Sequence, residues 1–334
     1  MLNKLDIRGF KCFDDESFHL SPLTLLSGLN SSGKSSFLQA IRLVHNNGMP
    51  LRGLGTLGGL VSKLHTDFEI SLSFNKDNKT VKYPSECKSN CCLGHPFEMS
   101  YIGASRLGPE LHLPICVDEE RGKFLGDKCE YIFDFFEYFS DLAGLPEVLR
   151  RKESNSSAIH ANVSAWLGLI SPGIQFKTES IFKADIVRAE YNGYRPNNVG
   201  FGLSYTLPII VVVLVYAALI SNKEIESGVI LLENPEAHLH PAGQTQLGIF
   251  IARAASCGVQ IIVETHSDHL LNGIRIGVKD QLISSSQTSF YFFKYDFDAE
   301  KTICQHPIVD SLGYFDSWPD NFFDETEKNL ERLL

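Results

Sequence analysis

Positive charge is in deficit in this chain: 30 Lys and Arg residues stand against 40 Asp and Glu, a net charge of −10 over 334 residues. Such a chain is not a general polyanion binder, and contact with DNA would have to come from a local basic patch or a partner. The opening MLNKLDIRGFKCF lacks the apolar core of a secretory signal, so a cytoplasmic location is expected. One strongly apolar run, TLPIIVVVLVYAALIS from Thr206 to Ser221, is shorter than the ~20 residues a membrane span needs. It is expected to be a buried helix, with no membrane partner. Internal repeats and long disordered linkers are absent, as are nuclease, helicase and protease signatures.

Hydrophobic residues make up 43% of the chain, ample for one large or two smaller domains. The 8 cysteines are expected to be reduced in a cytosolic setting. Only CKSNCCLGHP clusters them. Cys87, Cys91, Cys92 and His95 could supply four ligands to zinc, but the spacing departs from the usual paired pattern. An irregular surface insertion is the favoured reading.

The apolar runs before Gly28, Glu233 and Thr265 lack polar alternation, as strands covered on both faces do. Helical spacing follows the first of them: Phe37, Ala40, Ile41 and Val44 repeat on one face. PAGQTQLGIFIARAAS reads as a helix between the later two. NKDNKTVKYPSECKSNCCLGHP reads as polar and turn-rich. Residues from about Glu130 to Leu169 read as mostly helical, with punctuation near Gly144 and Ser154 to Ser156, IQFKTESIFKADIVRAEYNG as strands joined by a turn, and TSFYFFKYDFD with EKTICQHPI as a late hairpin. The expected fold is α/β, a mixed or parallel sheet flanked by helices.

GLNSSGKS, Gly28 to Ser35, matches G-x-x-x-x-G-K-[ST] in full, between an expected strand and an expected helix. The glycines let backbone N–H groups of Asn30, Ser31, Ser32, Gly33 and Ser36 curl round phosphate oxygens. Lys34 reaches the β and γ phosphates, and the Ser35 hydroxyl suits Mg²⁺. A nucleoside triphosphate site is therefore expected. The N-K-x-D loop of guanine-specific proteins is missing: the late strand ends in ETHSDH. Nearly two hundred residues separate Ser35 from Glu233, more than a compact small-molecule kinase uses.

Beyond the phosphate loop, LDIRGFKCF, NVGFGLSYTLPII, LLENPEAHLHP, VETHSDHLLNGIR and DSLGYFDSWPDNFFDE carry a resemblance. Over nearly its whole length the chain resembles the ABC-type ATPase heads of the SMC, RecF and OLD group. Within that group it resembles the stand-alone AAA-family ATPases of bacterial anti-phage defence, of Septu- or retron-associated type. Long coiled-coil arms do not separate its two halves, and no Toprim nuclease is expected. The resemblance implies a P-loop NTPase of ABC type forming a single domain over 1–334. Its nucleotide-binding core would be 1–105 and 225–334, with a helical signature lobe at 106–224.

The resemblance also implies roles. Glu233 matches the Walker B acid that holds Mg²⁺, and His266 the switch histidine near the γ-phosphate, with Thr265 and Ser267 positioning it. NVGFGLS matches the signature loop, in which Gly200, Gly202 and Ser204 face the nucleotide of a second subunit. ATP is then sandwiched in a homodimer or higher oligomer. An ordinary N-capped helix is the alternative for that loop. Lys11 matches a basic position that approaches nucleotide; a solvated lysine after a strand is its alternative. His238, His240 and His269 are expected to be structural or interfacial.

Two departures stand out. Asn234 occupies the position of the usual catalytic base, and Asn can orient a water but cannot take a proton. Glu236, two residues on, is the candidate base or a contact to the neighbouring subunit. General-base help contributes on the order of 10²–10⁴-fold, so the expected ATPase is slow. The lid loop lacks its glutamine: YIGASRLGPE stands there, and Arg106 is a candidate phosphate contact. With no effector chemistry of its own, the chain is expected to act through a partner such as a nuclease. Direct DNA binding of the RecF kind, and an ATP-binding scaffold with little hydrolysis, are the alternatives.

Overall fold

A computed structural model describes residues 1–75, 77–84, 97–117, 122, 124–154, 156–320 and 322–333. Cys87, Cys91, Cys92 and His95 lie outside the described residues. The strands of the first third are β1 (Leu2–Arg8), β2 (Asp15–His19) and β3 (Leu23–Gly28), then, after helix α1 (Lys34–His45), β4 (Phe68–Phe74), β5 (Asp77–Tyr83) and β6 (Glu98–Ile102). The middle holds β7 (His112–Pro114), α2 (Ile132–Phe139), α3 (Ile159–Ile170), β8 (Phe176–Ile181), β9 (Ile186–Tyr191) and α4 (Phe201–Ser221). The last third is β10 (Gly228–Glu233), α5 (Pro241–Ser256), β11 (Val259–Glu264), α6 (Asp268–Lys279), β12 (Thr288–Asp296), β13 (Lys301–Gln305) and α7 (Glu325–Leu333).

The central sheet has six strands in the order β13-β12-β3-β11-β10-β6. Five are mutually parallel, and β13 closes one edge as the antiparallel arm of the late hairpin. Because side chains alternate across a strand, each apolar run serves two cores. Leu26, Val229, Leu231, Ile262 and Phe293 face a cluster with α1 and the four-stranded antiparallel sheet β2-β1-β4-β5. Leu25, Ile230, Leu232, Ile261, Val263 and Phe292 face the other, with α3, α4, α5 and α6. Burial on both faces is why these strands show no polar alternation.

Helix α4 contains the apolar run and lies inside the second core, with 83% of its most apolar window buried by the protein. It is apolar all round because it is surrounded by protein. Two features of the fold differ from the sequence reading. β5 is a strand where turns are expected: it is an edge strand whose only buried side chain is Val81, so its polar residues face solvent and leave no apolar stripe. The other is β7: it joins the expected strand pair β8–β9 to make a three-stranded antiparallel sheet, β7-β9-β8, between the phosphate loop and α4. The helical stretch is interrupted where the sequence places its punctuation, around Gly144 and Ser154, and forms α2 and α3 joined by irregular chain and 3₁₀ turns.

Candidate nucleotide-binding site

The phosphate loop leaves the C-terminal end of β3, every residue of which is buried, and enters α1. Gly28 has φ 141°, and a Cβ there would stand 2.1 Å from the Phe293 carbonyl oxygen. Gly33 has φ 112° and caps α1 with no side chain, so the first N–H groups of the helix keep their capacity for an anion. Asn30 and Ser31 are exposed at the loop tip, and Ser31 is left-handed with φ 61°. Ser32 is 1% exposed, yet its hydroxyl has no partner. Lys34 is buried, and its ammonium donates to the carbonyls of Gly28 and Leu29, both at 2.9 Å. Burial lowers its pKa. Ser36 is half-buried on the first turn of α1.

The structure brings two acids to this loop. β10 and β11 run parallel in direct register, Glu233 opposite Glu264. Glu233 is half-buried and accepts the Ala104 N–H at 3.3 Å. Glu264, one strand nearer the loop, accepts the Ser35 hydroxyl with both oxygens at 3.1 Å. Sequence reasoning missed Glu264. Its only signal is an acid ending an apolar strand, VQIIVE, as Glu233 ends VILLE. Burial first, and the charge of Glu233 second, push the Glu264 carboxyl up to about 7. Tyr101 backs Glu233, and the Arg42 guanidinium lies 3.6 Å over its ring.

Past Glu233 the chain turns through Asn234, left-handed at φ 44°, whose N–H donates to the Glu264 carbonyl at 3.0 Å. Its side-chain oxygen is buried without a partner. Glu236 accepts the His266 backbone N–H at 2.8 Å, and its second oxygen is also buried and unpartnered. Burial is the main cause raising its pKa. The His266 side chain is exposed beside the loop; burial of part of the ring, then the Lys34 charge, lower its pKa. Thr265 accepts from the Ser267 N–H, and Ser267 caps α6 by accepting from Leu270 N–H, so both residues brace the histidine turn. Lys11 donates to Gln39 on α1 at 2.5 Å, which places it beside the helix that the phosphate loop opens.

The signature segment sits at the start of α4. Gly200 precedes the helix with no side-chain cap, and Phe201 is exposed. A Cβ on Gly202 would come 2.7 Å from the His238 carbonyl oxygen, so this turn packs against the loop after β10. Ser204 lies a turn inside α4 near the Tyr191 hydroxyl, and the exposed tip is Gly200 and Phe201. Among the described residues, Gly200 to Ser204 make no hydrogen bond to the phosphate loop of their own chain. His238 packs edge-on against Tyr205, His240 caps α5 through Ala242 N–H, and His269 pairs with Asp268. Arg106 is not placed as a phosphate contact. It is 2% exposed and turned onto backbone carbonyls.

A strand, a glycine loop closing on a lysine, an uncapped helix and an acid two strands away have the geometry of a P-loop nucleotide-binding site. The donors fit a triphosphate: the free Ser32 hydroxyl, the open start of α1 and the Lys34 ammonium all converge on the loop. The chain belongs to the AAA ATPase domain family, whose model matches residues 1–101 and 147–271. A family described as a protein of unknown function (DUF3696) matches residues 283–333.

Among solved structures the chain is similar to an SMC head bound to the C-winged helix domain of ScpA. The TM-score is 0.56 at 16% identity, over 92% of this chain and 98% of that one. It is also similar to an SMC head with an extended coiled coil, bound to the C-terminal domain of ScpA from Pyrococcus furiosus. There the TM-score is 0.52 at 13% identity, over 99% of both chains. The recombination mediator RecF matches with a TM-score of 0.48 at 14% identity, over 88% of this chain and 96% of that one. At these identities the likeness to the SMC heads shows the fold. No curated protein matches the chain.

Proposed function

We propose that the chain is a slow ATP-driven switch: two copies close on ATP and Mg²⁺, and the closed state gates a partner effector, such as a nuclease, in anti-phage defence. The observation that supports slowness is the pairing of an anion-ready phosphate loop with Asn234 where a base would stand. On this reading residues 1–105 and 225–334 are the nucleotide-binding core and 106–224 the signature lobe. Lys34 exchanges its two loop carbonyls for phosphate oxygens. Ser35 and Glu233 would hold the magnesium ion, with Glu264 beside them. That ion, when bound, neutralises charge on the phosphates. Asn234 orients a water, Glu236 accepts its proton, and His266 donates to the γ-phosphate.

The dimer reading is supported by the exposed, uncapped start of α4, which makes no hydrogen bond to its own phosphate loop among the described residues. Gly200 offers a clean probe: its φ is −63° and a Cβ there meets nothing within 4 Å, so the isolated subunit tolerates a side chain. ATP with Mg²⁺ is expected to double the mass measured by light scattering for the wild type. Lys34→Ala and Gly200→Arg are expected to stay monomeric, Gly200→Arg while still binding ATP. A wild type that binds ATP without any change of mass sinks the switch. Salt-dependent DNA affinity without a partner would favour a DNA-maintenance ATPase instead.

A further inference from the structure

Arg106 is a buried cation with an unusual set of partners. Its Nε donates to the Tyr205 carbonyl at 2.9 Å, on the first turns of α4. Nη1 donates to the carbonyls of Gly103 and Glu233, both at 3.0 Å, and Nη2 to the Asn234 carbonyl at 3.0 Å. Four of the five N–H donors of the guanidinium are thus engaged by carbonyls, and among the described residues no carboxylate pairs with it. Those carbonyls belong to three separate segments: the end of β6, the turn after β10 and the signature helix. The Tyr205 ring lies 4.8 Å from the guanidinium carbon and packs edge-on against His238 at 4.7 Å, a second tie between helix and turn.

We propose that Arg106 is a positioning residue that couples the signature helix to the Walker B turn, so that docking of a second subunit's nucleotide at Gly200 and Phe201 sets the placement of Asn234 and Glu236. Only a planar fork serves three segments at once; an ammonium presents its donors from a single atom. Because the turn is gripped by its backbone, a shift of α4 moves the carbonyls of Glu233 and Asn234 with it. A two-state contact of this kind, biased from one site and read at the other, is the physical basis of coupling. The inference rests on the nucleotide-switch reading and adds the residue that links its two halves.

The test compares wild type, Arg106→Lys and Tyr205→Leu for ATP affinity, kcat, KM, melting temperature and ATP-dependent mass. A misplacement of 1 Å can cost ~10²-fold in rate, so Arg106→Lys is expected to lower kcat by at least about tenfold. Its ATP affinity is expected to stay within about twofold, since the phosphate loop is untouched. Tyr205→Leu is expected to give a smaller kcat loss with the same unchanged affinity, and decides the matter if Arg106→Lys does not fold. An unchanged kcat in the folded variant overturns the coupling alone, as does a parallel loss of affinity and rate. Failure of the wild type to bind ATP overturns the nucleotide reading, and the coupling with it.

Discussion

Ser35 and Glu264 lie 229 positions apart in the chain, yet the Ser35 hydroxyl sits 3.1 Å from both carboxylate oxygens of Glu264. Parallel registry of β11 with β3 on one side and β10 on the other produces this contact, and it sets Glu233 alongside. Burial of Glu264 first, and the neighbouring charge of Glu233 second, raise the Glu264 carboxyl to about 7 from an ordinary 4.5.

The sign of the resulting pH dependence follows from linkage. A carboxyl raised in the fold contributes stability that is fully present below about 4.5 and is lost as pH rises through about 7. In metal-free protein, Glu264→Gln mimics the protonated acid and removes that loss. The melting temperatures of wild type and variant are expected to agree near pH ~5, with the wild type falling behind by pH ~8. A difference that stays constant across the range rules out Glu264 as the titrating group.

Gly28 tests the geometry of the loop itself. Its φ of 141° and the 2.1 Å approach of any Cβ to the Phe293 carbonyl leave no room for a side chain. Gly28→Ala is expected to destabilise by at least ~2 kcal/mol in denaturant unfolding, and to abolish ATP binding. Gly200→Ala, at an open position with ordinary φ, is expected to fall within ~0.5 kcal/mol of wild type. Equal effects of the two would show that crowding at β12 does not shape the loop.

What the sequence reveals and what it hides divide along one line. The phosphate loop is legible because strand, glycines, lysine and helix are contiguous, and the local pattern carries its own chemistry. The strands β3, β10 and β11 are legible because burial on both faces leaves unbroken apolar runs. Glu264 and Arg106 are not legible, because their partners are set by registry and by packing between distant segments. β5 hides because a solvated edge strand carries no apolar stripe. β7, three residues long, is too short to show a period.

Asn234 and Glu236 carry the last prediction. Asn is one of the few residues that sits comfortably at the observed φ of 44°, so Asn234→Ala is expected to cost roughly 1–2 kcal/mol and Asn234→Gly less. Any fall in kcat common to both variants then reports the water-orienting amide rather than the backbone. Glu236→Gln keeps an oxygen for the His266 N–H, which preserves the turn while removing the carboxylate. If Glu236 is the base, single-turnover hydrolysis drops by ~10²–10⁴-fold with ATP affinity unchanged. Burial raises its pKa, which makes its carboxylate a stronger proton acceptor than an ordinary glutamate. An unchanged rate in Glu236→Gln would falsify that role and leave Glu236 as the anchor that ties the histidine turn to the Walker B turn.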